Sequence, residues 1–315
     1  MASALWSITV PGNAASEDHE EKANMADTID KAIEDYRRSK LTRRDFLHRA
    51  LLLTGSLAAA TTLADAIVPA TSHAGFVDAN DSALASSEVK FNGSDGTAIG
   101  AYLTRPKADG SRPAVVVIHP WSGIDEHTRD VARRFAKAGY VAVAPDLFSR
   151  VGGTSSYPTR EEAIAAGRKL TSDMIAQDLA ATTSYLKTQN FVRPAKIGVI
   201  GFCWGGGKAL MFTTRSKDIA ASVIYYGENP ENLDDVKNIT APVLGNYGGD
   251  DPRITSEVPK LDETMKKYGK SFEYKIYPGA PHSFNSDDNP RSYREEAAKD
   301  AWARTLEFFK KHLQA

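Results

Sequence analysis

The chain contains a single cysteine, which lies at the centre of a turn framed by glycines, Gly201-Phe202-Cys203-Trp204-Gly205. An apolar run at 197–200 predicts a buried strand before the turn, and residues 208–212 predict a helix after it. This order is typical of a nucleophile elbow, with cysteine at the position that serine usually holds. At the start of a helix, unpaired N–H groups and the helix dipole favour a thiolate, so Cys203 is a candidate nucleophile. The alternative is a buried, unreactive cysteine beside a glycine-rich turn.

Two later loops carry residue types that would complete this chemistry. Asp250 and Asp251 follow a predicted strand at 243–246, and His282 follows another at 272–277. A histidine can take the thiol proton and later protonate the leaving group, while an aspartate fixes the tautomer and orientation of the ring. Each residue alone has an ordinary alternative, as a turn aspartate or a surface histidine. The chain order nucleophile, acid, histidine is that of the α/β-hydrolase fold and favours a catalytic triad.

The elements that must position these loops alternate regularly along the chain. Residues 88–103 predict a β-hairpin, and beyond it short β-branched runs alternate with amphipathic stretches. This pattern predicts an α/β-hydrolase fold, an α/β architecture with a mostly parallel central sheet and helices on both faces. Ligands of such sheets bind beyond the carboxyl ends of the strands, where the candidate loops lie. The predicted strands are 88–91, 98–103, 114–118, 141–144, 196–200, 221–225, 243–246 and 272–277, and the predicted helices are 128–138, 160–188, 206–214, 257–268 and 291–312.

Composition and charge restrict the function classes. The 315 residues include 39 Lys and Arg against 40 Asp and Glu, with 42% hydrophobic residues, as in an ordinary soluble globular chain. This balance provides no basic field, so we do not expect a nucleic-acid partner. A single cysteine excludes an internal disulfide and any paired-cysteine zinc or redox motif.

The N-terminal quarter differs in character from the rest of the chain. Arg43-Arg44-Asp45-Phe46-Leu47, followed by a small and apolar run at 50–60, is similar to a twin-arginine export signal. The run is short for a membrane-spanning helix, and small residues at 72–74 suit cleavage after Ala74. We therefore expect a periplasmic or otherwise exported protein that uses the twin-arginine machinery and is tethered to the membrane if the signal is not cut. The alternative is an amphipathic N-terminal helix of a cytoplasmic protein.

These features predict three parts. The first is an extension with the export signal at 1–74, followed by a linker rich in Ala, Ser and Asp at 75–87. The third part, an α/β-hydrolase domain at 88–315, has a normal size for a single domain. The sequence does not specify the number of subunits.

Three segments resemble the dienelactone hydrolase family: Gly201–Gly206, Gly139–Leu147 and Tyr277–Phe284. They match the family's Gly-Phe-Cys-x-Gly-Gly elbow, its Gly-Tyr-x-x-x-x-Pro-Asp-Leu strand end and its Tyr-Pro-Gly-x-x-His-x-Phe loop. The resemblance covers nearly all of residues 91–313 and, with the export signal, is similar to an exported branch of the family. It implies hydrolysis of small esters or lactones, with no metal or organic cofactor.

The resemblance also implies roles around the nucleophile. It selects Asp251, rather than Asp250, as the triad acid. The backbone N–H groups of Trp121 and Trp204 are expected to form the oxyanion hole. Many family members carry a glutamate that takes part in thiol activation where this chain has Pro120. Either a standing pair of Cys203 and His282 activates the thiol, as in other cysteine hydrolases, or the activity is weaker or different.

Further roles concern the substrate. Family members bind the substrate carboxylate with an arginine at the position of Arg150, a role that suits guanidinium geometry, and the alternative is a solvated loop arginine. A second arginine of some members is replaced by Ser286. Trp121 and Phe148 are expected to line an apolar substrate pocket, with burial in the core as the alternative.

Two functions follow from these residues. The first is a cysteine hydrolase of small esters or lactones that forms a thioester at Cys203. The second is an exported ligand-binding or redox-sensing protein on a hydrolase scaffold, in which Cys203 is a reactive thiol exposed to oxidation. Turnover of an ester, lost when the cysteine is replaced, distinguishes the two.

Overall fold

The structure is a computed structural model that describes Thr28 and residues 31–33, 43–56 and 77–314. Its internal contacts divide the chain into two units, residues 1–71 and residues 72–315.

The first unit contains a helix, α1, at Arg43–Thr54. The two arginines of the predicted export signal are the first residues of this helix. The predicted cleavage position, Ala74, lies outside the described residues. Within the described ranges, no helix is both long enough and apolar enough to span a bilayer.

One eight-stranded sheet forms the centre of the second unit. Its strands are β1 (Leu84–Asn92), β2 (Ala98–Pro106), β3 (Arg112–Ile118), β4 (Val141–Pro145), β5 (Val192–Phe202), β6 (Ala221–Tyr225), β7 (Val243–Gly248) and β8 (Phe272–Tyr277). Their order across the sheet is β1-β2-β4-β3-β5-β6-β7-β8. β2 pairs antiparallel with both β1 and β4, and all other neighbours pair in parallel. The predicted mostly parallel sheet is therefore confirmed.

Helices cover both faces because side chains alternate along each strand. Val116 packs into a core with Leu179 and Phe212 on one face, while Val117 packs with Phe135 on the other. The α-helices of this unit are α2 (Glu126–Lys137), α3 (Arg160–Gly167), α4 (Ser172–Lys187), α5 (Trp204–Arg215), α6 (Pro252–Thr255), α7 (Val258–Lys267) and α8 (Glu295–Phe309). These two cores hold the sheet rigid beneath the loops at its carboxyl edge.

Two of the differences from the predicted elements concern the division of the chain into segments. The helix predicted at 160–188 is two helices, because Thr171 caps a new N-terminus by accepting a hydrogen bond from the backbone N–H of Met174. In addition, β1 begins at Leu84, so strand structure includes the end of the segment interpreted as a linker at 75–87. Antiparallel pairing with β2, from Leu84 opposite Pro106 onwards, accounts for the extra length.

Candidate active site

β5 passes into α5 through one residue, Cys203, whose backbone has φ 57° and ψ −120°. Close packing requires the glycines on either side. A Cβ atom on Gly201 would lie 2.0 Å from the carbonyl oxygen of Gly205, and one on Gly205 would lie 2.4 Å from that of Ile118. Only glycine fits such contacts. The predicted strand–turn–helix is therefore present, with the half-buried Cys203 at the N-terminus of α5.

Several residues near this turn have strained backbone angles. In the described part of the chain, the non-glycine residues with left-handed φ are Cys203, Tyr226 at 42° and Ser283 at 64°. Tyr226 follows β6, and Ser283 follows His282 in the loop after β8. Such strain costs about 1–3 kcal/mol per residue and is found mainly at functional sites. All three residues lie beyond strand ends at the edge where the sequence predicts the site.

The structure brings His282 to Asp251. Nδ1 of His282 donates a hydrogen bond to Oδ2 of Asp251 over 2.5 Å. Asp251 is only 6% exposed, whereas its neighbour Asp250 is an exposed residue. The geometry thus agrees with the choice of Asp251 over Asp250 as the partner of the histidine. Asp251 orients the ring and stabilises its protonated form.

The other ring nitrogen of His282 faces a different environment. Nε2 is buried and has no hydrogen-bond partner among the described residues. Burial lowers the pKa of His282, but the neighbouring Cys203 and the bond to Asp251 outweigh it, so the pKa lies above its ordinary value. The thiol is therefore close enough to interact with the ring. One nitrogen is held by a carboxylate, and the other is available for the thiol proton.

Tyr226 forms one wall beside the histidine. Its ring lies 5.0 Å from the ring of His282, between centroids, and it is 1% exposed. Burial and the nearby Cys203 raise the pKa of Tyr226 well above its ordinary value, so its hydroxyl stays protonated. The residue limits the movement of the imidazole.

The loop after β3 contains no carboxylate that takes the place of the family glutamate. His119, next to Pro120, is fully buried, and its Nε2 accepts a hydrogen bond from the backbone N–H of Leu147. Burial lowers the pKa of His119, which favours its neutral form. Asp125 caps α2 by accepting from Thr128, and Glu126 pairs with Arg133. These acids therefore have structural partners.

Trp121 and Trp204, the residues of the predicted oxyanion hole, lie side by side. Their rings are 4.9 Å apart between centroids. Trp204 is the first residue of α5, where backbone N–H groups have no acceptor within the helix. The Cβ position of Gly205 lies against the carbonyl oxygens of Ile118 and His119, so the loop after β3 borders the first turn of α5. The oxyanion hole itself stays a prediction.

Phe148 requires a correction. We expect it from the sequence to contact substrate directly, yet it has no exposed surface. Its ring packs against that of His119 at 5.0 Å and lies 6.0 Å from that of Trp204. Phe148 therefore packs behind the paired rings of Trp121 and Trp204, which form the aromatic wall of the site. Trp121 is half-exposed, and its contact with substrate stays a prediction.

Arg150 also requires a correction. Its Nε and Nη2 donate to the carboxylate of Asp178, and its Nη1 donates to Asp95 and Thr97. The two aspartates raise the pKa of Arg150. Asp178 is only 1% exposed, so the pair is part of the interior of the fold. All three nitrogens thus have protein acceptors, and Arg150 links β2's hairpin to α4 instead of receiving a substrate carboxylate.

One group of described side chains has the composition of a metal site. Atoms of His127, Asp287 and Asp288 lie within 4.8 Å of one another. However, Nη2 of Arg134 lies 2.5 Å from Oδ2 of Asp287, and Nδ1 of His127 lies 3.3 Å from Oδ1. Protein cations already balance this carboxylate, so the donor set fits an ion-pair network better than a metal centre.

Two residues near the pocket have no predicted role. The Nζ atom of Lys208 lies 5.8 Å from the ring centroid of Trp204, a contact that the i, i+4 spacing on a helix could have indicated. Gly167, at the end of α3, would place a Cβ atom 2.7 Å from the ring of Trp121 and 3.0 Å from that of Phe148. Only the folded chain shows the second contact, because α3 is remote in sequence from Trp121.

Comparison with known proteins shows the family of this chain. Residues 99–313 match the model of the Dienelactone hydrolase family. A protein of Methylorubrum extorquens, provisionally named carboxymethylenebutenolidase, is 35% identical over 283 residues, which cover 82% of this chain and 96% of the relative. A protein of Saccharolobus solfataricus with the same provisional name is 32% identical over 256 residues, which cover 70% of this chain and 97% of the relative.

Solved structures show the same similarity. A crystal structure of a provisionally named dienelactone hydrolase from Klebsiella pneumoniae superposes with a TM-score of 0.67 at 32% identity. The superposition covers 73% of this chain and 99% of that one. The match therefore includes the whole of the related protein.

Proposed function

Because the chain belongs to the dienelactone hydrolase family, we propose that it hydrolyses small esters or lactones with Cys203 as nucleophile and a thioester as intermediate. The class of the enzyme, a lactone or ester hydrolase, follows from relatives that carry the name carboxymethylenebutenolidase. One observation carries the finer proposal: Cys203 lies on a strained elbow beside His282, whose other nitrogen is bonded to Asp251.

The proposed reaction has two halves. In the first, Nε2 of His282 takes the thiol proton while the sulfur of Cys203 attacks the acyl carbon. The carbonyl oxygen becomes an oxyanion, which the backbone N–H groups of Trp121 and Trp204 would stabilise. When the carbon–oxygen bond to the leaving group breaks, His282 protonates the departing oxygen and a thioester remains.

Water completes the cycle. His282 removes a proton from a water molecule, whose oxygen attacks the thioester carbon, and the proton then returns to the departing sulfur. The products are the carboxylic acid and the restored thiol. Asp251 accepts the Nδ1 hydrogen bond throughout and stabilises the imidazolium that forms in each half.

Thiol activation rests on His282 alone in this proposal. Pro120 provides no acid, and Asp125 is occupied as the cap of α2. The raised pKa of His282 makes its neutral ring a stronger acceptor for the thiol proton. We therefore propose activity on small activated esters and lactones, with the range of acyl groups set by the aromatic wall.

Hydrolysis of p-nitrophenyl acetate and of dienelactone by the full chain tests the proposal. We expect turnover by the wild type and a loss of at least about 1,000-fold in Cys203→Ala. The matched control is Thr255→Ala, a small-residue change in α6 whose hydroxyl bonds to a backbone oxygen. Unchanged turnover in Cys203→Ala would overturn the nucleophile. Rapid peroxide oxidation of Cys203 in a wild type without turnover would favour the sensing role instead.

We also propose that the chain is exported by the twin-arginine route. The support is the Arg43-Arg44 pair followed by the apolar run at 50–60. Changing both arginines to lysine should retain the protein in the cytoplasm, as fractionation would show, whereas Arg49→Lys in the same helix should leave export unchanged. Equal export of the double variant would overturn this proposal and favour the cytoplasmic alternative.

A further inference from the structure

Lys208 is an unusual lysine for its position. It is half-buried on α5, and no described carboxylate lies within ion-pair distance of its Nζ. Buried lysines are ordinarily paired, because an ammonium without a partner loses hydration and gains nothing in return. Two other basic residues of this unit, Arg150 and Arg134, are bound to buried aspartates. Lys208 alone among these three has no protein anion in contact.

The helix geometry directs the Lys208 side chain towards the N-terminus of α5, which begins directly after Cys203. Side chains on an α-helix tilt towards its N-terminus, so a residue covers the one four positions earlier. Lys208 accordingly lies over Trp204, with Nζ 5.8 Å from the ring centroid. That ring is 4.9 Å from the half-exposed ring of Trp121. The ammonium thus borders the aromatic wall that begins next to Cys203.

The charges around Lys208 leave room for an anion. Burial lowers the pKa of Lys208, and the more distant Glu231 and Glu228 only partly offset this effect. Glu228 is itself paired with Arg253, and Glu231 is exposed. A partly desolvated ammonium gains most from an anion that reaches contact distance.

We propose that Lys208 is the residue that binds the carboxylate of an anionic ester or lactone, because Arg150 is bonded to Asp178 and Asp95. Lys208 is five residues after Cys203, a helix rise of about 7.5 Å, and the tilt of the lysine side chain closes only part of that distance. The carboxylate would therefore lie several bonds from the carbonyl that Cys203 attacks. The faces of Trp121 and Trp204 would hold the apolar part between the two groups.

The reaction of Cys203 with two maleimides tests the anion site without any turnover. N-ethylmaleimide is neutral, whereas 3-maleimidopropionate carries a carboxylate several bonds from the reacting carbon. Because the chain has one cysteine, labelling of the full chain reports on this site alone. We expect Lys208→Met to lower the rate ratio of the anionic to the neutral reagent about tenfold. Any change in thiolate content affects both reagents equally and cancels in the ratio.

Two esters with acyl chains of similar length extend the test to catalysis. p-Nitrophenyl butyrate is neutral, and mono-p-nitrophenyl succinate ends in a carboxylate. Lys208→Met should lower kcat/KM for the succinate ester about tenfold relative to the butyrate ester. Lys208→Arg should retain most of the preference, and Lys260→Met, at an exposed lysine, should change neither ratio.

The outcomes separate this inference from the function on which it rests. A lower maleimide ratio in Lys208→Met, but not in Lys260→Met, supports the anion site even if the wild type hydrolyses neither ester. In that case only the proposed hydrolysis of these esters fails. Maleimide ratios that are equal in wild type, Lys208→Met and Lys208→Arg would overturn the anion site, even if both esters are hydrolysed.

Discussion

The described part of the second unit contains two histidine–aspartate pairs that are built from the same atoms and differ in their surroundings. Nδ1 of His282 lies 2.5 Å from Asp251, and Nδ1 of His127 lies 3.3 Å from Asp287. The His282 side chain is 28% exposed, whereas the His127 and Asp287 side chains are 3% and 2% exposed. Only the first pair can therefore exchange a proton with a substrate.

Their neighbours differ as well. His282 has the thiol of Cys203 beside it, while Asp287 is bonded by Arg134, which also binds Asp130 over 2.6 Å. Burial raises the pKa of Asp287, but His127 and Arg134 together hold it well below its usual range. This second pair joins α2 to the chain just after His282. A histidine–aspartate pair is thus catalytic only where a nucleophile and access accompany it.

Replacing each histidine by glutamine should give the largest difference between the pairs. We expect His282→Gln to lower kcat for p-nitrophenyl acetate at least about 1,000-fold, since proton transfer is lost, with little change in thermal stability. His127→Gln should keep kcat per folded molecule within about threefold and lower the unfolding temperature, because it weakens a buried charged contact. Similar losses of kcat in both variants would contradict the division of roles.

The buried pair should dominate stability. Asp287→Asn removes the one carboxylate that bonds to both Arg134 and His127, and we expect it to lower the free energy of urea unfolding by about 3 kcal/mol. The adjacent Asp288→Asn, at a more exposed residue, is the matched control and should cost less. Equal losses from the two variants would mean that the network does not hold this loop.

The adjacent aspartates of the catalytic loop provide the next comparison. Asp251→Asn removes the acceptor that orients His282, and we expect kcat to fall about 100-fold. Asp250→Asn changes an exposed side chain and should leave kcat within about twofold. A larger loss from Asp250→Asn than from Asp251→Asn would show that the histidine takes the other aspartate during turnover.

The smallest difference that we expect between the two histidine–aspartate pairs is in their pH dependence. Burial lowers the pKa of His127, but Asp287 outweighs it, so the folded-state pKa is above the unfolded value of about 6.5. The contribution of protonated His127 to the free energy of unfolding is therefore complete below about pH 6.5 and is lost as the pH rises through the folded-state pKa of His127. The difference in urea midpoint between wild type and His127→Gln should shrink from about pH 6 to about pH 9.

Over the same interval the first pair should respond in the opposite direction. The pKa of His282 is also raised, and the ring must be neutral to take a proton. We therefore expect kcat/KM to increase as the pH rises through this pKa, which places the acidic limb above about pH 6.5. Activity that is independent of pH between about 6 and 8 would argue against His282 as the base.

Local sequence was sufficient for the elbow and for the strand ends. The turn at Cys203 needs glycine at Gly201 and Gly205 because backbone atoms occupy the Cβ positions, so its pattern is visible in the sequence. The parallel sheet follows from apolar runs whose period and length are local properties. The position of His282 after a strand followed in the same way.

The predictions for Arg150 and Phe148 were wrong because both residues contact segments that are remote in the sequence. Arg150 is bound by Asp178 and Asp95, which come from α4 and from the hairpin between β1 and β2. Phe148 is buried by rings that the loop after β3 and the start of α5 provide. No sequence motif contains the partners of either residue at a fixed spacing. These contacts form only when the sheet brings distant segments together.

The central claim is that Cys203 carries the acyl group during turnover. Acid quenching of the full chain during hydrolysis of p-nitrophenyl acetate, followed by peptide mass analysis, tests this directly. We predict one acetyl group on the peptide that contains Cys203 in the wild type, and none in Cys203→Ala. Sustained hydrolysis with no acetyl group at Cys203, or with the group on another residue, would contradict the account.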